Sequence, residues 1–372
     1  MDSFDRILVV IPAQLGDVLI CTPLIRAARE RWPAASIDVL GFAGTLELLA
    51  GNADVSRCIE IARAGGVRWQ LRQALQLWRR YDLAFVARTS DRAHLYGLVA
   101  ARRRSAFVPG SGPGSRWKRW ITHHRVVPRD GAHHVLERLR LIEPWVPMPA
   151  ALSLVPPTPA ALPPAIEAQL AHPFVVVQVP SMWRYKQWPL EHFRRVVQGL
   201  LDDGVQVVLT GSGSAHDQSQ VAGVRDVGSA PALLDASGQL SLSQVAALLA
   251  RADAYLGPDT SVTHLAAAVG TPIVSVYGPS LPDAFGPWPQ GHAAVVPWQR
   301  RAARQEVRGI VLLQGEDLPG QRCVPCNRMG CENRHDSQSH CLATLSPERV
   351  LGELRAMLQA PARVARQAGE RS

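Results

Sequence analysis

Lysine is almost missing from this chain. Lys118 and Lys186 are the only two, so 40 − 2 = 38 of its basic residues are arginine. Positive charge is therefore written as guanidinium, a fixed and forked donor, and each ammonium stands out as a compact point charge. No apolar run approaches the ~20 residues that a membrane-spanning helix needs. The start, "MDSFDRILVVIP", carries two acids and a five-residue apolar run, unlike a secretory leader. The expectation is a cytoplasmic chain. No G-x-G-x-x-G follows the first strand and no G-x-x-x-x-G-K-[ST] occurs, which disfavours a Rossmann oxidoreductase. Six cysteines in a cytosolic chain do not suggest a disulfide framework. Cys21 and Cys58 read as ordinary buried thiols.

What is present is a repeated β-α-β rhythm. The chain has 372 residues, 47% of them hydrophobic, enough for two globular domains. "ILVVI" (7–11) reads as a buried strand followed by a helix near 18–30. Strands are expected at 36–42, 57–61, 82–88 and 105–110, with helices at 45–51, 69–81, 91–101 and 130–145. Residues 146–173 hold eight prolines and read as a hinge. The rhythm then restarts, with strands at 174–180, 205–211, 254–258 and 272–278 and helices at 190–204, 241–252 and 262–270. The expected division is 1–150, a linker at 151–173, a second domain at 174–345, a last helix at 346–360 and a disordered tail at 361–372. Ligands of doubly wound parallel sheets sit at the carboxyl ends of strands, and a cleft between two such domains is the natural place for a site.

Charge is unevenly spread. The net is +9, and from Arg92 to Arg129 there are nine basic residues and no acid. Arg102, Arg103 and Arg104 are followed by "PGSGPGSRWKRWITHHR" (109–125), which mixes Trp117 and Trp120 with Lys118 and Arg119. His123 and His124 add charge if protonated. Such a segment suits a polyanion: a nucleic acid, an anionic membrane or a phosphorylated substrate. No nucleic-acid motif accompanies it, so no nucleic-acid partner is expected. The plain alternatives are a mobile surface loop and a generally arginine-rich composition.

Five stretches carry candidate chemistry. In "IPAQLGDVLICTPLI" (11–25), Asp17 stands at a strand-to-helix turn, either as a cap or as a reacting acid. In "YLGPDTSVTHLAAAVGTPIVSVYGPS" (255–280), Asp259, Thr260 and Ser261 open a helix bearing His264. The free N–H groups and dipole of such a helix start suit a phosphate or diphosphate, although Asp259 and Thr260 also read as simple caps. In "SMWRYKQWPLEHF" (181–193), Lys186 is either a phosphate-contacting ammonium or a surface lysine. The loop "GSGSAHD" (211–217) is a weak phosphate signal. Finally, Cys323, Cys326, Cys331 and Cys341 follow C-x2-C-x4-C-x9-C, a spacing that suits a structural Zn²⁺ or iron ion. His335 and His340 are alternative ligands, and free thiols or a redox disulfide are alternative states.

Taken in order, "GDVLICTPLIRAAR", "RRYDLAFVAR", "HHVLERLRLIEPW", "YKQWPLEHF" and "GPDTSVTHLAAAVGTPIVSVYGPS" resemble glycosyltransferase family 9, the ADP-heptose:lipopolysaccharide heptosyltransferases. The resemblance implies a GT-B fold: two Rossmann-like doubly wound α/β domains, with the C-terminal helix crossing back to the N-terminal one. It implies inverting transfer of heptose from ADP-heptose to a phosphorylated lipid A–core acceptor at the inner face of the inner membrane. No catalytic metal is implied. Asp17 would be the general base and Lys186 would contact the donor phosphate. Asp259, Thr260 and His264 would hold the diphosphate region. Ser261 stands where the family usually has glycine. Asp217, one methylene shorter than the family's glutamate, would lie near the nucleotide ribose. The basic aromatic segment, Arg102–Arg104 with Trp117, Lys118, Arg119 and Trp120, would face the acceptor and the membrane. The alternatives are another acceptor (a protein or other glycan), another nucleotide sugar, or a non-catalytic nucleotide-sugar-binding protein.

Overall fold

A computed structural model describes residues 2–64, 66, 72, 73 and 75–359. The chain forms two compact units, Met1–Pro159 with Asp283–Pro297, and Ala160–Pro282 with Trp298–Ser372. The stretch 283–297 thus belongs with the first unit, although the sequence places it inside a second domain at 174–345. The helix expected over 69–81 falls partly outside the described residues, as does the tail at 361–372.

The first unit is built on β1 (Arg6–Ile11), β2 (Ser36–Phe42), β3 (Arg57–Ile61), β4 (Tyr81–Val86), β5 (Ala101–Phe107) and β6 (His124–Val126). They form one parallel sheet in the order β3-β2-β1-β4-β5-β6. Ile7 to Ile11 are fully buried, as a central parallel strand covered on both faces requires. The strand order reverses between β1 and β4, which makes their carboxyl ends the switch point of the sheet.

The helix expected at 18–30 is two helices, Leu15–Ile20 and Thr22–Arg31. The break has a local cause. Pro23 has no N–H for the Leu19 carbonyl four residues back, and the Thr22 hydroxyl donates there instead (2.7 Å). Arg102–Arg104, expected to precede a strand, lie within β5 near its amino end. The segment read as a loop contains a helix, Pro113–Ile121. The excursion 283–297 is held by a short antiparallel pair, β7 (Ala151–Leu152) with the strand His292–Ala293. It is also held by a His133 Nε2–H bond to the Gly286 carbonyl (2.8 Å) and by the Trp288 indole N–H on the Leu152 carbonyl (3.1 Å).

The second unit comprises β8 (Phe174–Gln178), β9 (Gln206–Thr210), β10 (Leu233–Asp235), β11 (Ala254–Pro258) and β12 (Ile273–Tyr277). After β13 (His292–Ala293) returns to the first unit, β14 (Arg304–Val307) and β15 (Ile310–Gln314) complete the second sheet. Its order is β10-β9-β8-β11-β12-β15-β14, parallel except for β14. The switch point lies between β8 and β11. The helix Leu242–Arg251 starts with a capping box formed by Ser241 and Gln244. The last helix, Pro347–Gln359, packs on Leu190–Asp202, where a Cβ on Gly199 would lie 2.4 Å from Leu351. Among the described residues no helix is long and apolar enough to cross a membrane.

Candidate functional site

Each unit carries chemistry at its own switch point. In the first, β1 ends at Ile11 and the next helix takes Gln14 as its N-cap. Asp17 is therefore not the cap residue. It lies in the first turn, with its side chain 19% exposed, and its Oδ1 accepts from Arg138 (3.0 Å) and lies 3.5 Å from Arg88. Arg138 comes from the helix His134–Leu139, is buried, and lays its guanidinium over the Phe107 ring at 5.3 Å. Neither arginine stands out in the sequence, because in a chain with 38 arginines a functional one carries no compositional signal.

In the second unit, β8 leads to a 3₁₀ turn over Arg184–Lys186 and β11 leads to Asp259. The two flank the switch point, and Lys186 Nζ meets Asp259 Oδ2 at 2.6 Å. His264 Nε2 lies 4.0 Å from Asp259 Oδ1, and the Tyr277 hydroxyl lies 3.5 Å from it. Burial pushes the Asp259 carboxyl up. The charges of Lys186 and His264, with hydrogen bonds from Lys186 and Ser280, outweigh burial and hold it below its usual value. Asp259 thus fixes the position of the Lys186 ammonium. Thr260 is the N-cap of the helix Ser261–Val269 and accepts from the Thr263 N–H (3.4 Å). Beneath it, Tyr255 donates to the Thr263 hydroxyl (2.9 Å) and Thr263 to the Pro258 carbonyl. Gly257 is required here, since a Cβ would stand 2.2 Å from the Tyr255 oxygen. Asp217 sits in the first turn of Ala215–Arg225, where its Oδ2 accepts from the Ser212 N–H (2.8 Å) and closes the 211–217 loop.

The basic aromatic segment does not form one exposed face. Lys118 is buried, donates to the Thr89 carbonyl (2.7 Å) and pairs with Asp91 (2.6 Å). Trp117 packs edge-on against His94, with ring centroids 5.9 Å apart. Arg119 donates to the Gly110 carbonyl and Arg103 pairs with Asp2. Arg104 turns its guanidinium onto the Ile121 and Ala101 carbonyls. Burial first, then nearby arginines, lowers the pKa of His123, and burial lowers that of His124, so neither adds charge near neutral pH. Arg102 is exposed, and Trp120 is 83% exposed. Arg102–Arg104 lie toward the amino end of β5, whereas Asp17 follows the carboxyl end of β1.

The expected tetrathiolate centre is not formed. Four thiols are an apt donor set, but among the described residues no three His, Cys, Asp or Glu side chains group so as to hold a metal ion. Burial and the neighbouring Cys326, Cys331 and Cys323 push the Cys341 thiol up to about 12. Cys323 Sγ accepts from the Leu318 N–H and Cys331 Sγ from the His340 N–H. His335 is packed on Trp183 at 4.3 Å. The loop also supports the segment 181–189, for Ser339 donates to the Tyr185 carbonyl (2.6 Å) next to Lys186.

Two α/β units, each built on a parallel sheet with its own switch point, have the GT-B fold. The chain belongs to glycosyltransferase family 9 (heptosyltransferase), whose family model matches residues 68–310. It is 28% identical over 294 residues to lipopolysaccharide heptosyltransferase 3 of Escherichia coli, covering 73% of this chain and 83% of the relative. It is 28% identical over 397 residues to lipopolysaccharide heptosyltransferase 1 of Pseudomonas aeruginosa, covering 96% and 99%. The solved structure of E. coli ADP-heptose lps heptosyltransferase II superposes with a TM-score of 0.71 at 23% identity, over 95% of this chain and 98% of that one.

Proposed function

We propose that this chain is an inverting heptosyltransferase that moves heptose from an ADP-heptose donor to a hydroxyl of the lipopolysaccharide inner core. The observation that carries the reading is the Lys186–Asp259 pair at the head of the helix Ser261–Val269, in a chain of family 9. Departure of ADP puts negative charge on the diphosphate as the sugar–oxygen bond breaks. Lys186, held by Asp259, meets that charge as an ammonium, with His264 and the helix N–H groups beside it. Thr260 and Ser261 border the same anion, and Asp217 stands by the nucleotide ribose.

The acceptor hydroxyl is a weak nucleophile until its proton leaves. Asp17 takes that proton as the new glycosidic bond forms. Both guanidinium contacts fall on Oδ1, which leaves the proton to Oδ2. Direct attack by the acceptor oxygen on the side opposite ADP inverts the anomeric carbon. In this reading the chain works in the cytoplasm, at the inner face of the inner membrane, where Trp120 and Arg102 are the exposed members of the basic segment. The loop 323–341 supports the segment that bears Lys186, through the Ser339 bond to the Tyr185 carbonyl.

The test is ADP release from ADP-heptose against a panel of truncated core acceptors. Asp17→Ala is expected to lower kcat by about 10²-fold or more while the protein still melts cooperatively and binds ADP. Turnover near that of the unmodified chain would remove Asp17 as the base.

A further inference from the structure

One face of the first unit is more apolar than a solvated surface requires. Among the described residues ten large apolar side chains are exposed, and five of them fall on three neighbouring segments: Leu75 and Trp78, Leu95 and Leu98, and Trp120. Residues 75–77 are helical. Leu77 turns inward and joins Tyr81, Ala93, Tyr96 and Ala100 in one buried cluster, while Leu75 and Trp78 are 71% and 61% exposed. The helix Asp91–Ala100 is divided in the same way. Ala93, Tyr96, Gly97 and Ala100 are buried, and a Cβ on Gly97 would stand 2.6 Å from Val86, so the helix lies close on β4. Leu95 and Leu98, three residues apart, are left on the side away from the sheet. A helix on the surface of a soluble domain carries polar side chains there.

Two contacts tie these segments together. The Arg79 N–H donates to the Val99 carbonyl (2.9 Å), which brings the chain at Trp78 against the end of the helix that bears Leu98. Trp117 packs on His94 of that same helix, so Pro113–Ile121, with Trp120, lies along it. Positive charge accompanies the apolar side chains. Residues 62–129 hold fifteen arginines and lysines against two acids. Both acids are engaged: Asp91 pairs with Lys118, and Asp82 accepts from the Asp5 and Arg6 N–H groups. Arg79, Arg80, Arg102 and Arg116 are exposed, and the Arg79 guanidinium lies 5.9 Å from the Trp78 ring centroid.

We propose that Leu75, Trp78, Leu95, Leu98 and Trp120, with the neighbouring arginines, form one docking face for an anionic lipid bilayer. The inference goes beyond the transferase reading and does not need it, because it stands on the surface alone. Leucine and tryptophan enter the headgroup boundary, and guanidinium groups meet lipid phosphates there. Nucleic acid would use the arginines but leave Leu75, Leu95 and Leu98 without a partner. A second copy docking through the same face would set arginine against arginine, which like charges oppose. A bilayer satisfies the apolar and the basic side chains at once. Only Trp120 belongs to the basic aromatic segment 109–125; the other four apolar residues lie before it in the chain. The unit held at the surface is then the one that bears Asp17, so an acceptor anchored in lipid reaches it by diffusion in two dimensions.

The experiment is sedimentation of the full chain with vesicles of phosphatidylethanolamine and phosphatidylglycerol, and with vesicles of phosphatidylcholine alone. The unmodified chain is expected to partition onto the anionic vesicles about tenfold more strongly. Leu75→Ser with Trp78→Ser, and separately Leu95→Ser with Leu98→Ser, should each lower that partition about tenfold or more. Their Tm should change little, since these side chains are already exposed. Arg79→Gln with Arg80→Gln should weaken binding to the anionic vesicles only, an effect that shrinks at high salt. Val295→Ser, at another exposed apolar residue, should change nothing. No binding of the unmodified chain to anionic vesicles, or full binding by either leucine-bearing double variant, would overturn the face. A dimer in solution that Leu95→Ser with Leu98→Ser dissolves would assign the face to a second copy and overturn it too. A chain that binds vesicles yet releases no ADP from ADP-heptose keeps the face and loses the transferase reading. One that transfers heptose to a soluble core acceptor but ignores vesicles does the reverse.

Discussion

Asp259 carries two consequences that separate its role from that of Lys186. Lys186→Ala should lower kcat with ADP-heptose by about 10²-fold, because the leaving diphosphate loses its ammonium. Asp259→Asn should lower kcat as well, through a misplaced Lys186, and should also destabilise the fold by about 3 kcal/mol, since one partner of a largely buried pair is gone. The folded carboxyl titrates below its ordinary value, so its stabilisation is complete above the unfolded pKa of about 3.9 and fades as pH falls through the lower folded value. Melting curves of both proteins should therefore differ at pH 7 and draw together as the pH falls below about 4. A difference that does not shrink on further acidification would mean that the loss comes from packing. Lys186 was legible in the sequence because lysine is so scarce here. Arg88 and Arg138 were hidden by the opposite circumstance: their meaning lies only in what the fold sets beside them.

At the scale of elements, the segment 181–189 depends on its neighbours. Trp188 is almost fully buried, packs edge-to-face on Phe193 at 4.9 Å and donates its indole N–H to the Leu345 carbonyl (3.0 Å). Trp188→Ala should cost about 3–5 kcal/mol, read as a Tm drop of about 10 °C. Trp188→Phe keeps the packing, loses one hydrogen bond and should cost only about 1–2 kcal/mol. Equal losses in the two variants would assign the whole effect to the hydrogen bond. On the surface, Trp120 is the aromatic that the helix Pro113–Ile121 exposes. Trp120→Ala should reduce sedimentation with vesicles containing phosphatidylglycerol, while Trp117→Ala, against His94, should lower Tm instead.

Elements of the second unit were the easier ones to read from sequence. Strands such as "FVVVQ" and "IVSVY" are continuous buried runs, and Ser241 and Thr260 mark helix starts by their chemistry. In the first unit, "ARRRSAF" is a strand with three arginines after its first residue. Arg104 is met by carbonyls and Arg103 by Asp2 from elsewhere in the chain, partners that no local pattern shows. The helix 113–121 was obscured by the glycines and prolines before it, although Pro113 suits a first helical turn.

For the molecule as a whole, the chain does not divide into two consecutive halves. It leaves the first unit after Pro159, returns for Asp283–Pro297 and leaves again. The returning stretch brings Trp288 to 1% exposure and gives buried His133 the Gly286 carbonyl as partner. A fragment of residues 1–159 should therefore melt well below the same fragment carrying 283–297 on a flexible linker, and should expose the apolar surface that Trp288 covers. Equal melting of the two would make the returning stretch dispensable. No sequence pattern announces this excursion: its prolines and glycines mark an irregular segment, and its place is set only by distant partners.

That excursion also sets the rules for recombining this enzyme with its relatives. A chimaera with a single crossover near 160 would pair the first sheet of one parent with the Trp288 segment of the other, and would test two half-matched interiors rather than two specificities. Exchange of acceptor preference requires three breakpoints, near 160, 282 and 298, so that the inserted stretch travels with the sheet it completes.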